Sequence, residues 1–352
     1  MSKYHHLTVQ NIIRETPDTI SIHFQQPAAQ RLTYKAGQFL TLLVPLKGIV
    51  ERRSYSMCSS PLTDANLVVS VKRTAGGKVS NHLNDTLKAG DVLEVMEPMG
   101  SFYAEPGFAS PRHTILLAAG SGITPLLSIA KTLLHGEPQG RVSLLYGNRN
   151  RQSIIFHDEL AALQRQYAGR LQVIHVLSQP GADWDGHSGR LNQSLALKIL
   201  EKLPQLPRTE YFICGPDGMM DEMKHALRIL QVPEQHIHSE SFAGKAPETH
   251  GEVLEQASLT VKDQQVTVMY EGTEYKFKVP ANKTNLEAAL SNNIDLPYSC
   301  QSGLCTACMG RCLSGKVKLD EEEGLSEAEL KQGYVLTCVG HPLNADVVIE
   351  IE

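Results

Sequence analysis

Four cysteines, Cys300, Cys305, Cys308 and Cys338, follow the spacing C-x4-C-x2-C-x29-C, and this constrains the chain more than any other feature. The spacing is the plant-type arrangement in which four thiolates hold the two irons of a [2Fe-2S] cluster. Three ligands on one tight loop need small neighbours, which Ser299, Ser302, Gly303, Thr306 and Ala307 supply. Backbone N–H groups can then approach the sulfides, and such hydrogen bonds raise the reduction potential. A structural zinc module is the alternative reading, although zinc favours two close C-x2-C pairs over one distant fourth ligand. Cys58 and Cys312 are read as bystanders, because a free Cys is often a small buried hydrophobe. Seven cysteines in 352 residues are too few for a disulfide scaffold.

At roughly 100 to 200 residues per domain the chain should hold two or three domains, and its style changes twice. Residues 1–109 show short alternating segments, such as Thr19–Phe24 and Leu67–Val71, between Gly, Pro and Asp turns. They predict an antiparallel β-barrel or sandwich. Residues 110–243 alternate apolar strands (Thr114–Leu117, Val142–Tyr146, Leu171–Val176, Tyr211–Cys214) with helical stretches (Leu126–Leu134, Ser153–Tyr167, Met219–Leu230). That alternation predicts an α/β domain, a parallel sheet with helices on both faces. Residues 244–258 have few large apolar side chains and read as a linker. Residues 259–352 offer strands Val266–Tyr270, Tyr275–Val279 and Val347–Ile351 and a helix near Leu286–Leu290, a small α+β domain around the Cys loop.

With 33 basic and 38 acidic side chains, a net charge of -5, there is no basic field to attract nucleic acid or an anionic membrane. The acid is concentrated late: residues 258–352 carry 8 Lys/Arg against 14 Asp/Glu, including Asp320-Glu321-Glu322-Glu323. This run either steers a basic redox partner or is a solvated acidic face. The start, Met1 to His6, lacks a basic segment followed by an apolar core, so a cytoplasmic location is expected. The uncharged stretch Thr114–Ala130 is interrupted by Gly120, Gly122 and Pro125, which predicts strand, loop and helix rather than a membrane span.

Three further segments suit nucleotides. Arg53-Ser54-Tyr55-Ser56 follows a strand candidate, and Gly76-Gly77-Lys78-Val79-Ser80 opens the helical stretch Asn81–Leu87. An Arg fork and a glycine-led helix N-terminus are both suited to phosphate oxygens, and Tyr55 is suited to stacking on a planar ring. Gly120-Ser121-Gly122-Ile123-Thr124-Pro125 lies between a strand and a helix, where a dinucleotide can reach the helix end. Tyr146-Gly147-Asn148-Arg149-Asn150-Arg151 follows the next strand with two Arg and no acid, which predicts a 2′-phosphate and hence NADPH rather than NADH.

In this order, R-x-Y-S, G-x-x-S, G-x-G-x-T-P and Cys214-Gly215-Pro216 ahead of the Cys loop, the motifs cover nearly the whole chain. They resemble the ferredoxin-NADP reductase superfamily, in the branch with a C-terminal plant-type ferredoxin domain. The resemblance implies FAD on the barrel, NADPH (or NADH) on the α/β domain and a [2Fe-2S] cluster on a β-grasp domain. Carried onto this chain, Arg53 and Ser54 with Gly77, Lys78, Val79 and Ser80 would hold the FAD, Arg53 and Lys78 to Ser80 at its pyrophosphate. Tyr55 and Ser56 would face the isoalloxazine, Ser56 near N5, and Val71, Lys72 and Arg73 its pyrimidine side. Gly120 to Pro125, Asn148, Arg149, Arg151, Gly215 and Pro216 would bind the pyridine nucleotide. Thr124 and Cys214 would stand beside the reactive nicotinamide carbon, with Glu240 and Phe242 at the flavin edge.

Within that family, the strings Arg52-Arg53-Ser54-Tyr55-Ser56, Tyr146-Gly147-Asn148-Arg149, Ile237-His238-Ser239-Glu240 and Leu296-Pro297-Tyr298-Ser299-Cys300 are similar to those of the reductases of phenylacetyl-CoA epoxidase systems in phenylacetate catabolism. An electron-transfer oxidoreductase is implied, passing electrons from NADPH to a partner oxygenase, with no nucleic-acid or membrane partner. The alternatives are an NADH reductase for hybrid-cluster protein or another oxygenase, and a redox-sensing flavin/Fe-S protein without turnover.

Overall fold

The computed structural model describes residues 4–26, 31–107, 111–204, 206, 208–242, 263–303, 305–322 and 324–351. The chain divides into two units, Met1–Glu240 and Ser241–Glu352. The linker expected at 244–258 lies outside the described residues.

The first unit begins with β1 (Tyr4–Thr16), β2 (Thr19–Gln25), β3 (Phe39–Leu46), β4 (Ile49–Ser56), β5 (Leu67–Lys72), helix α1 (Lys78–Thr86) and β6 (Val92–Met96). All pairings are antiparallel, in the order β4-β3-β6-β1-β2-β5. The two end strands meet through a Met57–Val69 bridge and a Cys58 N–H to Val68 O bond of 2.9 Å. The sheet therefore closes as a barrel, which removes its edges. Period-two alternation turns Ile20, Ile22, Phe24, Leu40 and Leu42 into one apolar core. Helix α1 adds Val79 and Leu83 to that core. It starts three residues before the predicted Asn81, because Gly77 takes extended dihedrals and serves as N-cap.

The same unit continues with β7 (Arg112–Ala119), α2 (Ile123–Gly136), β8 (Arg141–Asn148), α3 (His157–Gln166), β9 (Leu171–Leu177), β10 (His187–Ser188), α4 (Gln193–Leu200), β11 (Arg208–Cys214), α5 (Asp217–Ile229) and β12 (Ile237–Glu240). Every pairing is parallel, in the order β10-β9-β8-β7-β11-β12. Ile115 and Leu117 face one helical layer while Leu116 and Ala118 face the other. The strand order reverses between β7 and β11, the switch point at whose carboxyl ends open α/β sheets bind ligands. The continuous helix predicted over Ser153–Tyr167 is broken: a short turn at Arg151–Ser153 precedes Phe156 at φ +61°, and α3 begins only at His157.

Helix α2 fastens the barrel to the parallel sheet. Ser128 Oγ donates to Ser59 O at 2.5 Å, Ser60 Oγ meets Thr132 Oγ1 at 2.8 Å, and Lys131 Nζ bridges Asp64 at 2.6 Å and Glu159 at 2.8 Å.

The second unit contains β13 (Gln264–Tyr270), β14 (Thr273–Val279), α6 (Asn285–Ser291), β15 (Met309–Ser314), β16 (Val317–Leu319), α7 (Glu327–Lys331), β17 (Tyr334–Leu336), β18 (Gly340–Pro342) and β19 (Val347–Ile351). Its main sheet runs β14-β13-β19-β15-β17, with β19 parallel to β13, and β16 pairs with β18 separately. Thr284 and Glu287 form a reciprocal capping box that starts α6, and Leu286 and Ala289 pack against Val266, Val268 and Ile349. This is the α+β arrangement expected. No helix among the described residues is long and apolar enough to cross a membrane, and Thr114–Ala130 is strand, turn and helix as predicted.

Candidate active site and cluster loop

At the end of β4, Ser56 is nearly buried and its Oγ donates to Glu240 Oε2 at the end of β12, 3.5 Å away. Glu240 is in register with Cys214 on β11. Burial pushes the Glu240 carboxyl up to about 8, with the Ser56 hydrogen bond pulling the other way. Cys214 is fully buried, and burial followed by the Glu240 charge holds its thiol protonated. Ser56, Cys214 and Glu240 thus come together from three separate stretches. Phe242, two residues further on, is 44% exposed.

The glycine turn at the end of β7 is set by close approach. A Cβ on Gly122 would lie 2.0 Å from Cys214 O, so only glycine lets the turn and β11 touch. Tyr146 Oη donates to Gly120 O at 2.8 Å and Thr124 Oγ1 to Ser121 O at 3.0 Å, which fix the turn from within. Ile123, Thr124 and Pro125 are buried. These side chains shape the turn. Gly215 is less confined, since a Cβ there would meet the flexible Met219 Cε at 2.3 Å and backbone only at Ala119 N, 3.1 Å away, and Pro216 caps α5.

On the barrel, Arg53 is held by Glu51 at 3.1 Å and by the Arg52 carbonyl at 2.7 Å, and Ser54 Oγ meets Thr41 Oγ1 at 3.0 Å. Tyr55 packs on the barrel core, and burial raises its phenol. Val71 and Val79 are also core side chains, so any cofactor contact they make is through backbone. Arg73 binds Asp85 and Asn81, which ties β5 to α1. Lys72 reaches Asp18 at 3.7 Å and lies 4.0 Å from the Cβ position of Gly120, so it spans from barrel to glycine turn. Helix α1 has no side-chain cap on its first turn, and Ser80 Oγ accepts from Thr74 N at 3.1 Å. The first-turn N–H groups from Lys78 onward suit pyrophosphate oxygens.

Beside β8, Asn148 Nδ2 is buried with no partner among the described residues, which suits a polar ligand. The segment's two Arg do not stand without acid, as its local sequence suggests. Asp183, from the loop after β9, lies 3.6 Å from Arg151, whose guanidinium also sits 5.8 Å from the Trp184 ring. A loop residue more than thirty positions away is invisible to a motif.

In the second unit the four predicted thiols converge. Cys305 Sγ lies 3.2 Å from Cys300 Sγ, Cys300 also interacts with Cys338, and Cys308 with Cys338. Hydrogen bonds from Cys305 and Cys338 hold the Cys300 thiol well below its usual range. Gln301 and Gly303 have positive φ, and the loop turns Ser302 N–H to Cys300 Sγ at 3.5 Å. The fully buried Thr337 donates from N at 3.1 Å and from Oγ1 at 3.2 Å to Cys308 O, joining two ligand segments. Four convergent thiols with inward N–H groups fit a [2Fe-2S] cluster. Cys58 and Cys312 stand apart, bonded to Val68 O and Ser314 O. In the acidic run Asp320 binds His341 at 2.8 Å, and Glu323 lies outside the described residues.

Comparison with known proteins gives the same order of parts. The oxidoreductase FAD-binding domain matches residues 6–103, the oxidoreductase NAD-binding domain residues 116–225, and the 2Fe-2S iron-sulfur cluster binding domain residues 268–343. The chain is 37% identical to a component of the 1,2-phenylacetyl-CoA epoxidase of Escherichia coli (strain K12), over 100% of this chain and 99% of that one. It is 36% identical to the ferredoxin reductase component of 3-ketosteroid-9-alpha-monooxygenase of Rhodococcus rhodochrous, over 98% and 96%. Among solved structures, phthalate dioxygenase reductase aligns over 99% of this chain and 98% of its own, with TM-score 0.61 and 26% identity.

Proposed function

We propose, since this chain belongs to the ferredoxin-NADP reductase family of FAD- and [2Fe-2S]-containing oxidoreductases, that it draws electrons from NADPH and delivers them to a partner oxygenase. The partner we favour is a di-iron, ring-epoxidising system of the phenylacetyl-CoA type. The observation that carries this reading is the end-to-end similarity, at 37% identity, to a component of a phenylacetyl-CoA epoxidase, joined to the presence of all three cofactor regions in one chain.

The flavin, when bound, accepts a hydride and releases electrons singly, which adapts a two-electron donor to a one-electron cluster. The chain's own part is orientation and proton control. Gly122 lets the glycine turn close against β11, which sets the Gly120–Gly122 backbone where the nicotinamide nucleotide binds, and Cys214 closes the site from behind as a neutral thiol. Ser56 presents its hydroxyl at the flavin edge and is aligned by Glu240 Oε2. Near neutral pH Glu240 holds a proton on its carboxyl, so this end of the site carries no full negative charge against an incoming hydride. Arg149 and Arg151 supply cations for a 2′-phosphate, whose double charge outcompetes Asp183 for Arg151.

An anaerobic titration with NADPH and, in parallel, NADH, following flavin and cluster absorbance, tests the reading. Both chromophores should bleach at lower NADPH than NADH, and R151Q should narrow the difference. Preference for NADH would overturn the 2′-phosphate assignment, and an inert spectrum the reductase reading. Failure to support product formation by a phenylacetyl-CoA epoxidase oxygenase, with dye reduction intact, would overturn the partner.

A further inference from the structure

Asn285 opens α6 and is fully buried at 0% exposure, yet neither its Oδ1 nor its Nδ2 has a hydrogen-bond partner among the described residues. Its neighbours Leu286, Ala288 and Ala289 are core side chains, and the place is one an apolar residue would fill at lower cost. A buried amide with both atoms unmet is a standing penalty on the fold, so its position is informative.

The amide rests against the strand that follows the fourth cluster ligand. Its Nδ2 lies 3.2 Å from the point a Cβ on Gly340 would occupy, two residues beyond Cys338. Next along the helix, Leu286 N–H donates to Thr337 O at 2.9 Å, and Thr337 in turn holds the Cys308 carbonyl. Cys308 and Cys338 are the two most buried of the four thiols. Asn285 is therefore joined, through Gly340 and through the Leu286–Thr337 bond, to the segments that carry the more enclosed half of the ligand set, in an interior where a fixed dipole acts through little intervening water.

We infer that Asn285 is a potential-setting residue: its buried amide, packed on Gly340 behind Cys338 with its N–H end toward that strand, raises the reduction potential of the [2Fe-2S] cluster. The reduced cluster carries one more negative charge, and dipoles or N–H groups directed at it favour that state. The inference rests on the loop's holding a [2Fe-2S] cluster. Stability is lost at this position in exchange for redox tuning, so the two properties should move in opposite directions.

The test uses the full chain as N285L and N285A, with iron and sulfide content measured first, then an EPR-monitored redox titration and thermal denaturation. Both variants lack the amide, but only Leu refills the space. The cluster potential should fall in both, while N285L melts above the parent and N285A does not. A fully loaded cluster with unchanged potential in both overturns the inference, as does a fall confined to N285A, which would be a packing effect. If N285L does not load, an unchanged potential in N285A is sufficient to overturn it. Absence of iron and sulfide from the parent protein would instead remove the cluster reading itself.

Discussion

Ser56 Oγ on β4 donates to Glu240 Oε2 on β12 at 3.5 Å, and this contact ties the end of a barrel strand to the last strand of the parallel sheet. Glu240 is raised from 4.5 to about 8 by burial. A carboxyl raised on folding contributes stability that is complete below 4.5, declines as pH rises, and is lost above about 8. Glutamine imitates the protonated form, so E240Q should melt close to the parent in acid, increasingly above it as pH rises from 4.5 to about 8, and by a constant margin beyond. The rate of flavin reduction by NADPH, which reports the folded protein alone, should fall as pH passes about 8 in the parent and stay flat in E240Q. A flat profile in the parent would show that Glu240 stays ionised and has no part in proton control.

Gly122 leaves no room for a side chain against Cys214 O. G122A should separate the glycine turn from β11 and slow hydride transfer by about 100-fold, the scale of an ångström's misplacement of reacting groups. FAD content should be unchanged, because the barrel is untouched. Stopped-flow reduction at parental speed would show that the turn adapts.

Substituting Cys308 by Ser should abolish cluster absorbance while NADPH still reduces an artificial dye through the flavin, because Cys308 lies in the second unit. Zinc rather than iron in the parent protein, by metal analysis, would restore the zinc-module alternative.

Arg112 and Glu137 form a buried pair at 3.0 Å, with side chains only 4% and 8% exposed. E137A would remove the carboxylate from a buried guanidinium and should cost about 3–5 kcal/mol. Denaturant unfolding that differs by less than about 1 kcal/mol would mean that the Glu105 carbonyl, 3.0 Å from Arg112 Nη2, suffices.

The cluster loop was legible because its chemistry is local: three ligands and their small neighbours fall within ten residues, and the spacing alone restricts what they can hold. The barrel and the parallel sheet were legible because period-two alternation and strand–helix alternation are properties of neighbouring residues, and Ile115–Ala118 divides between two cores as that pattern requires. Other features had no local signal. Phe156 breaks the predicted helix by taking a left-handed conformation while its side chain is buried in the core, a tertiary gain that outweighs helical continuity. Asp183 meets Arg151 only because β9 lies beside β8. What kinds of elements form, and which cofactor loops they carry, was determined by the sequence alone. Only the tertiary structure decided that Ser56, Cys214 and Glu240 meet, and that a carboxyl among them is pushed up to about 8, because burial and proximity depend on residues far apart in the chain.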